Sequence, residues 1–332
     1  MNAASVQTRL FQHLRSQLPA HLSMVDEVAE VLQISIDSAY RRIRGEKPLD
    51  VEELSRLCRH YRVSMDHLLH LEADSFLFSG QLADGSDLRF GQYLENMHAQ
   101  FQYVNQLESK HLYYLMKDIP PFVHFQVEEL ATFKFFFWMK SLMHFESLKG
   151  VKFDFQDPRY AAYRVISRKI IQLYNQVPTT EIWNIESINS TLRQIDFYRR
   201  VGAFKSKDDT ALLYTKFSEL MSHMERQADL GIKFNIGEEP AMDGAEYHLY
   251  VNELILGDNT VMLQAGDTLT TFLNHSVLYF ISTRNEQFNR AMFNNLKNLL
   301  KRSTMISKTG EKERAGFFNR VQQIIRRRLE LL

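Results

Sequence analysis

SMVDEVAEVLQISIDSAYRRIRG, residues 23–45, reads as two short helices joined by a tight turn. Val25, Val28, Ala29 and Leu32 fall at i, i+3, i+4 and i+7, the apolar stripe of a helix. Ser23, with Asp26 three residues on, predicts an N-cap and a variant of the capping box, and Leu32 closes this first helix. Ser35 predicts the next N-cap. At about 100° per residue, Ile36, Ala39, Tyr40 and Ile43 are expected to crowd one side of the second helix, with Asp37, Ser38, Arg41 and Arg42 on the other. Gly45 then stands where helices commonly end. Such a helix has an apolar back that can dock on a small core and a front carrying a hydroxyl and two guanidinium groups. Arginine can bond guanine O6 and N7 together, and serine can bond base edges or phosphate, so this stretch points to DNA.

The surroundings extend the pattern. Asp50 with Glu53 predicts a capping box opening DVEELSRLCRHY, whose Val51, Leu54, Leu57, Cys58 and Tyr61 form one stripe. Ser64 is expected to cap a further helix, SMDHLLHL, with Val63 and Leu68 placed for a hydrophobic staple. Upstream, Val6 to Leu18 is amphipathic through Leu10, Phe11, Leu14 and Leu18. Residues 1–72 are therefore expected to form a five-helix unit, with 73–87, ADSFLFSGQLADGSD, as a linker. Cys58 is the chain's one cysteine, which excludes an intramolecular disulfide and a cysteine-rich zinc site; on an apolar stripe it reads as a packed core thiol.

The order of these helices, Ala29, the run SxxSxYRRIRG from Ser35 and the trailing VSMDHLL together resemble the helix-turn-helix domain of the Cro and lambda-repressor type, the XRE family of bacterial transcription regulators. The resemblance covers about the first fifth of the chain. Carried over by position, it makes Ser35 to Arg44 the recognition helix and 25–32 the helix that supports it. It implies double-stranded DNA as the partner and Ser35, Asp37, Ser38, Tyr40, Arg41, Arg42, Arg44 and Lys47 as candidate contact residues. The turn position that is often glycine in this family is Gln33 here, an expected cost of about 1 kcal/mol.

Charge qualifies that picture. Residues 1–72 hold nine Arg and Lys against ten Asp and Glu, so the unit lacks a basic footprint, although Arg41, Arg42, Arg44 and Lys47 cluster at the proposed face. One copy is expected to bind weakly, which makes a homodimer reading two half-sites the natural arrangement. Further on the chain is polarised: residues 73–283 carry nineteen basic against twenty-six acidic side chains, and 284–332 carry twelve against four. The basic tail reads as two amphipathic helices, the second with Phe317, Val321, Ile324 and Ile325 inward and Arg320, Arg326, Arg327 and Arg328 largely outside. Those charges fit a solvated face salt-bridged to the acidic middle, auxiliary phosphate contacts, or an oligomer contact.

The fold class expected is mainly α. Periodic segments at about 88–116, 126–147, 157–176, 180–201 and 208–229, broken by Pro120, Pro121, Gly150, Pro158, Pro178 and Gly202, predict antiparallel helices in a bundle or solenoid-like stack. No fixed repeat period is evident. FKFFFWMK, residues 133–140, is apolar around most of a helix and reads as a buried central helix, an aromatic-lined effector pocket or an oligomer interface. Between 246 and 275 the period changes to two, predicting a small antiparallel meander with strands from Tyr247, Thr260 and Thr268.

Catalytic signatures are missing: no phosphate loop, no dinucleotide fingerprint, no HExxH and no nucleophile elbow. An enzyme, a cofactor and a metal are therefore not expected; His67 and His70 lack acidic or cysteine partners nearby and read as a surface pair. No apolar run reaches membrane-spanning length and no secretory signal opens the chain, so a cytoplasmic protein with no membrane partner is expected. The favoured function is a sequence-specific, dimeric transcription regulator whose residues 88–332 serve dimerisation, with a small-molecule or protein effector as a further candidate partner. The alternative is a helical interaction scaffold whose helix-turn-helix fold serves protein contacts.

Overall fold

Three of the helices near the N-terminus begin where a side chain satisfies one of their first free N–H groups. The computed structural model describes residues 6–19, 22–61, 63, 76–80, 89–115, 117–241, 243–254, 259–275 and 278–332. Two compact units emerge, Met1–Leu77 and Phe78–Leu332.

Unit 1 holds α1 (Val6–Gln17), α2 (Met24–Leu32), α3 (Ile36–Ile43) and α4 (Val51–His60). Ser23 Oγ accepts from the Asp26 amide, Ser35 Oγ accepts from the Ser38 amide, and Asp50 and Glu53 form a reciprocal capping box. Leu10, Phe11, Leu14, Val28, Ala29, Leu32, Ala39, Leu57 and Val63 make the core. Gln7 clamps the loop after α3: its Nε2 donates to the Arg42 and Lys47 carbonyls at 2.7 and 2.8 Å, and its Oε1 accepts from the Leu49 amide at 3.0 Å. The helix expected from Ser64, with His67 and His70, lies outside the described residues.

Unit 2 overturns the expectation of a mainly α domain with a small meander. Among the described residues it is built on an eight-stranded mixed sheet, ordered β1-β7-β6-β5-β2-β3-β4-β8. The strands are β1 (Ser79–Gly80), β2 (Lys110–Leu115), β3 (Thr179–Trp183), β4 (Tyr247–Val251), β5 (Thr260–Ala265), β6 (Thr268–Asn274), β7 (Phe280–Thr283) and β8 (Thr304–Met305). The helices are α5 (Arg89–Gln106), α6 (Glu128–Phe137), α7 (Ala161–Tyr174), α8 (Ile185–Arg200), α9 (Asp208–Leu230), α10 (Glu286–Lys301) and α11 (Glu311–Glu330).

At the centre β2, β3 and β4 run parallel, joined by helical crossovers, and the flanking pairs are antiparallel. The expected meander is thereby corrected. β5 and β6 do form a hairpin, but β4 pairs with β3 and β8 and stands three places from β5. Two of the expected helices also give way to strands, 110–115 in the first and 179–183 at the start of the fourth.

The sheet alternates faces with period two. Leu112, Tyr114, Trp183, Tyr247 and Leu249 join the large core containing Phe90, Phe133, Phe135, Phe136, Tyr198, Phe217 and Phe317. Ile182 and Met262 point the other way and meet Leu296 of α10, with Tyr113, Leu115, Met292 and Phe293 around them. Helices thus cover both faces. Every residue from Leu130 to Phe136 in α6 is buried, Lys134 included. Phe78 packs edge-on against Phe288 of α10 at 5.3 Å, and Ser79 and Gly80 pair with Ser282 and Ile281, so residues 78–80, in the middle of the expected linker, are woven into the edge of the sheet.

Candidate nucleic-acid interface

The turn between α2 and α3 is closed by Gln33, at φ 58° and ψ 46°, whose amide donates back to the carbonyls of Ala29 and Glu30. A residue with a Cβ in this left-handed region pays a steric cost, and here it directs the chain into α3. Gly45, at φ 78°, ends α3, its amide donating to the Arg42 carbonyl at 3.0 Å.

The surface that α3 presents differs from the one its sequence suggests. Arg42 is 4% exposed. Its Nε donates to Glu53 Oε2 at 2.8 Å, its Nη2 to Glu53 Oε1, and its Nη1 to the Ser38 carbonyl at 3.1 Å. Glu53 also accepts from the Asp50 amide at 3.3 Å, so one carboxylate caps α4 and ties α3 to it. The Arg42 hydrogen bond holds the Glu53 carboxyl below its ordinary range, and Glu53 raises the guanidinium in turn. The placement of Arg42 on the outer face is therefore corrected: it rivets two helices together.

Ile36 and Tyr40, expected on the apolar back, are exposed at 61% and 44%. Ala39 is fully buried, with Ser38 and Ile43 half-buried beside it. The outward stripe of α3 is thus Ile36, Asp37, Tyr40, Arg41 and Arg44, turned by about 100°, one residue's step, from the face that the sequence suggests. Ser35 and Lys47 are exposed at either end of this segment.

Local contacts arrange the cations. The Arg44 guanidinium lies 4.4 Å from the Tyr40 ring centroid and its Nη2 donates to the Tyr40 hydroxyl at 3.0 Å. Glu46 sits between the two exposed arginines, 4.0 Å from Arg41 Nε and 3.7 Å from Arg44 Nη1. These are solvent-exposed pairs with side chains at least half accessible, each worth about 0–1 kcal/mol, which leaves both guanidiniums available to another anion.

Two capped helices meeting at a left-handed turn, the second with a polar and cationic outer stripe, define a helix-turn-helix DNA-binding domain. The family it matches is the BetR domain, a family of helix-turn-helix type, over residues 3–84, which spans unit 1 and the first residues of unit 2. Neither the curated proteins nor the solved structures include a match to this chain.

Unit 2 carries polar features of a different kind. Glu181, fully buried on β3, accepts from the Tyr174 hydroxyl, from Trp183 Nε1 at 2.8 Å and from the Tyr247 hydroxyl at 3.3 Å. Burial pushes its carboxyl up and pushes the nearby Lys233 ammonium down. Lys233 Nζ donates to the Tyr174 and Val177 carbonyls at 2.6 and 3.1 Å. An open groove of about 920 Å³ lies beside this network, lined by residues including Lys110, Asn175, Lys233, Asn235, Glu238 and Glu246.

The basic tail engages the acidic middle. Arg314 pairs with Asp229, Arg320 with Glu253, and Arg328 Nε with Asp196 at 3.0 Å. Among the described residues no group of three or more His, Cys, Asp or Glu side chains is placed to hold a metal ion, and no helix is long and apolar enough to cross a membrane.

Proposed function

We propose that this chain is a transcription regulator of the XRE type that reads DNA by laying α3 in the major groove. The observation that carries the reading is the outward stripe Asp37, Tyr40, Arg41 and Arg44 on a capped helix that follows a left-handed turn. Arg41, with its side chain 55% exposed, is suited to the guanine edge or a phosphate. Arg44, Ser35 and Lys47 lie near enough to the ends of the stripe to bond phosphates. Asp37 would repel a phosphate, so on this face it suits the amino group of cytosine.

Burial of Arg42 leaves Arg41, Arg44 and Lys47 as the cations of this segment, with Glu46 among them. So few phosphate contacts give weak binding by one copy. A dimer reading two half-sites about 34 Å apart restores affinity, and unit 2 is the part of the chain that would join two copies or take an effector.

The test is selection from random duplexes by the full chain at low salt, followed by affinity measurements. An enriched site, with Arg41→Ala weakening it by about 1–3 kcal/mol, is the expected result. A selection that enriches no sequence refutes the reading.

A further inference from the structure

We infer that Ile36 is a sequence-reading residue whose side chain recognises the 5-methyl group of thymine. The inference rests on the DNA-binding reading of α3 and adds the chemistry of one base. Ile36 is the first residue of α3, directly after the Ser35 cap, and its side chain is mostly in solvent. The apolar seat of the helix is already filled by Ala39 and Ile43, so Ile36 adds little to the core.

The other exposed large aliphatic residues among the described residues of unit 1, Val6, Leu22, Val51 and Leu77, stand on separate segments. Ile36 instead has exposed Tyr40 one helical turn away, the spacing at which side chains are neighbours. Asp37 and Arg41 follow them on the same stripe. An apolar pair edged by an acid and a base is poorly suited to phosphate and well suited to a groove floor. In helix-turn-helix proteins the first residues of the recognition helix meet base edges, and the apolar group displayed in the major groove is the thymine methyl.

Discrimination by one methyl is small and measurable. Removing the methyl by replacing thymine with deoxyuridine leaves every hydrogen-bonding group in place, and the loss of about one buried methyl corresponds to roughly a fourfold weakening. The experiment takes the site enriched by selection, replaces its thymines with deoxyuridine one at a time, and measures affinity for the full chain and for Ile36→Ala.

One thymine is expected at which the wild type weakens about fourfold and Ile36→Ala does not respond. Ile36→Val, which keeps two methyl groups, should respond partially, and equal melting temperatures of the three proteins exclude a folding effect. If a site is enriched but the deoxyuridine penalties are the same in wild type and Ile36→Ala at every thymine, this inference fails while the DNA reading stands. If no site is enriched, both fall.

Discussion

Replacing Arg42 by alanine separates a helix rivet from a DNA reader. The guanidinium makes two bonds to Glu53 and one to the Ser38 carbonyl, and the Arg42 and Glu53 side chains are only 5% and 13% exposed. Removing one partner of such a pair leaves a carboxylate with little water to solvate it, a cost of about 3–5 kcal/mol. For a domain the size of unit 1 each kcal/mol moves the melting point by about 4–8 °C, so Arg42→Ala should lower it by at least about 12 °C.

The assay is a paired melt. Both tryptophans, Trp138 and Trp183, belong to unit 2, so tryptophan fluorescence follows that unit while far-UV circular dichroism also sees unit 1. Arg42→Ala should move the dichroism transition and leave the fluorescence transition alone. Arg42→Met combined with Glu53→Leu, which removes both charges, should recover most of the stability and with it DNA binding. A double variant that melts like wild type yet has lost its DNA affinity would refute the reasoning, because Arg42 would then be needed by the DNA itself.

Three further outcomes follow from the structure. Gln33→Gly relieves the left-handed strain at φ 58° and should stabilise unit 1 by about 0.5–1 kcal/mol, seen as a higher dichroism melt; an unchanged or lower melt counts against strain at the turn. Burial lowers His223 to about 4, so below about pH 6.5 the unfolded chain binds a proton that the folded chain refuses, and stability falls as pH falls from there towards 4. His223→Gln should make the acid slope of the urea midpoint, followed by tryptophan fluorescence, shallower by about one proton, and an identical slope would contradict this. Lys134, bonded to Gln194 Oε1 at 2.7 Å, is lowered by burial to about 7, so its contribution to stability rises with pH between about 7 and its ordinary 10.5. Lys134→Met should abolish that alkaline gain, and its persistence in the variant would place the effect elsewhere.

Legibility in the sequence followed the range of the interactions. Caps at Ser23, Ser35 and Asp50 act over three residues, so they could be read from spacing alone. Which side of α3 faces out could not. Ile36 and Arg42 each lie about 60° from buried Ala39, on opposite sides, and hydrophobicity alone places the isoleucine inside. What decides the matter is Glu53, eleven residues beyond Arg42, whose carboxylate makes burial of the arginine affordable. The one sequence signal was that a capping-box glutamate stood near an arginine-rich helix.

The sheet of unit 2 was hidden for a different reason. β3 reads TTEIW, buried at all five positions, so it shows neither alternation nor an apolar run; Glu181 is tolerated there only because Tyr174, Tyr247 and Trp183 bond to it. Only three residues, none of them glycine or proline, separate the end of α5 from the start of β2, so nothing in the sequence marks the end of the helical periodicity. The hairpin of β5 and β6 is local, with Gly266 at its turn, and it was legible.

The two ends of the sheet have a bearing on how copies of this chain can meet. Among the described residues the outermost strands, β1 and β8, are two residues long, and the carbonyl and amide of Leu249 on β4 bond to the Ile306 amide and Ser307 Oγ instead of standing open. At the other end Gly80 lies so close to β7 that a Cβ there would come within 2.7 Å of Ile281 Cγ2. Edge strands as short as these described ones offer a neighbour little ladder to extend, which disfavours edge-to-edge stacking, the route by which β-rich proteins grow into fibres. Any pairing of copies, as proposed above, would then rest on side-chain contacts rather than on a shared sheet edge.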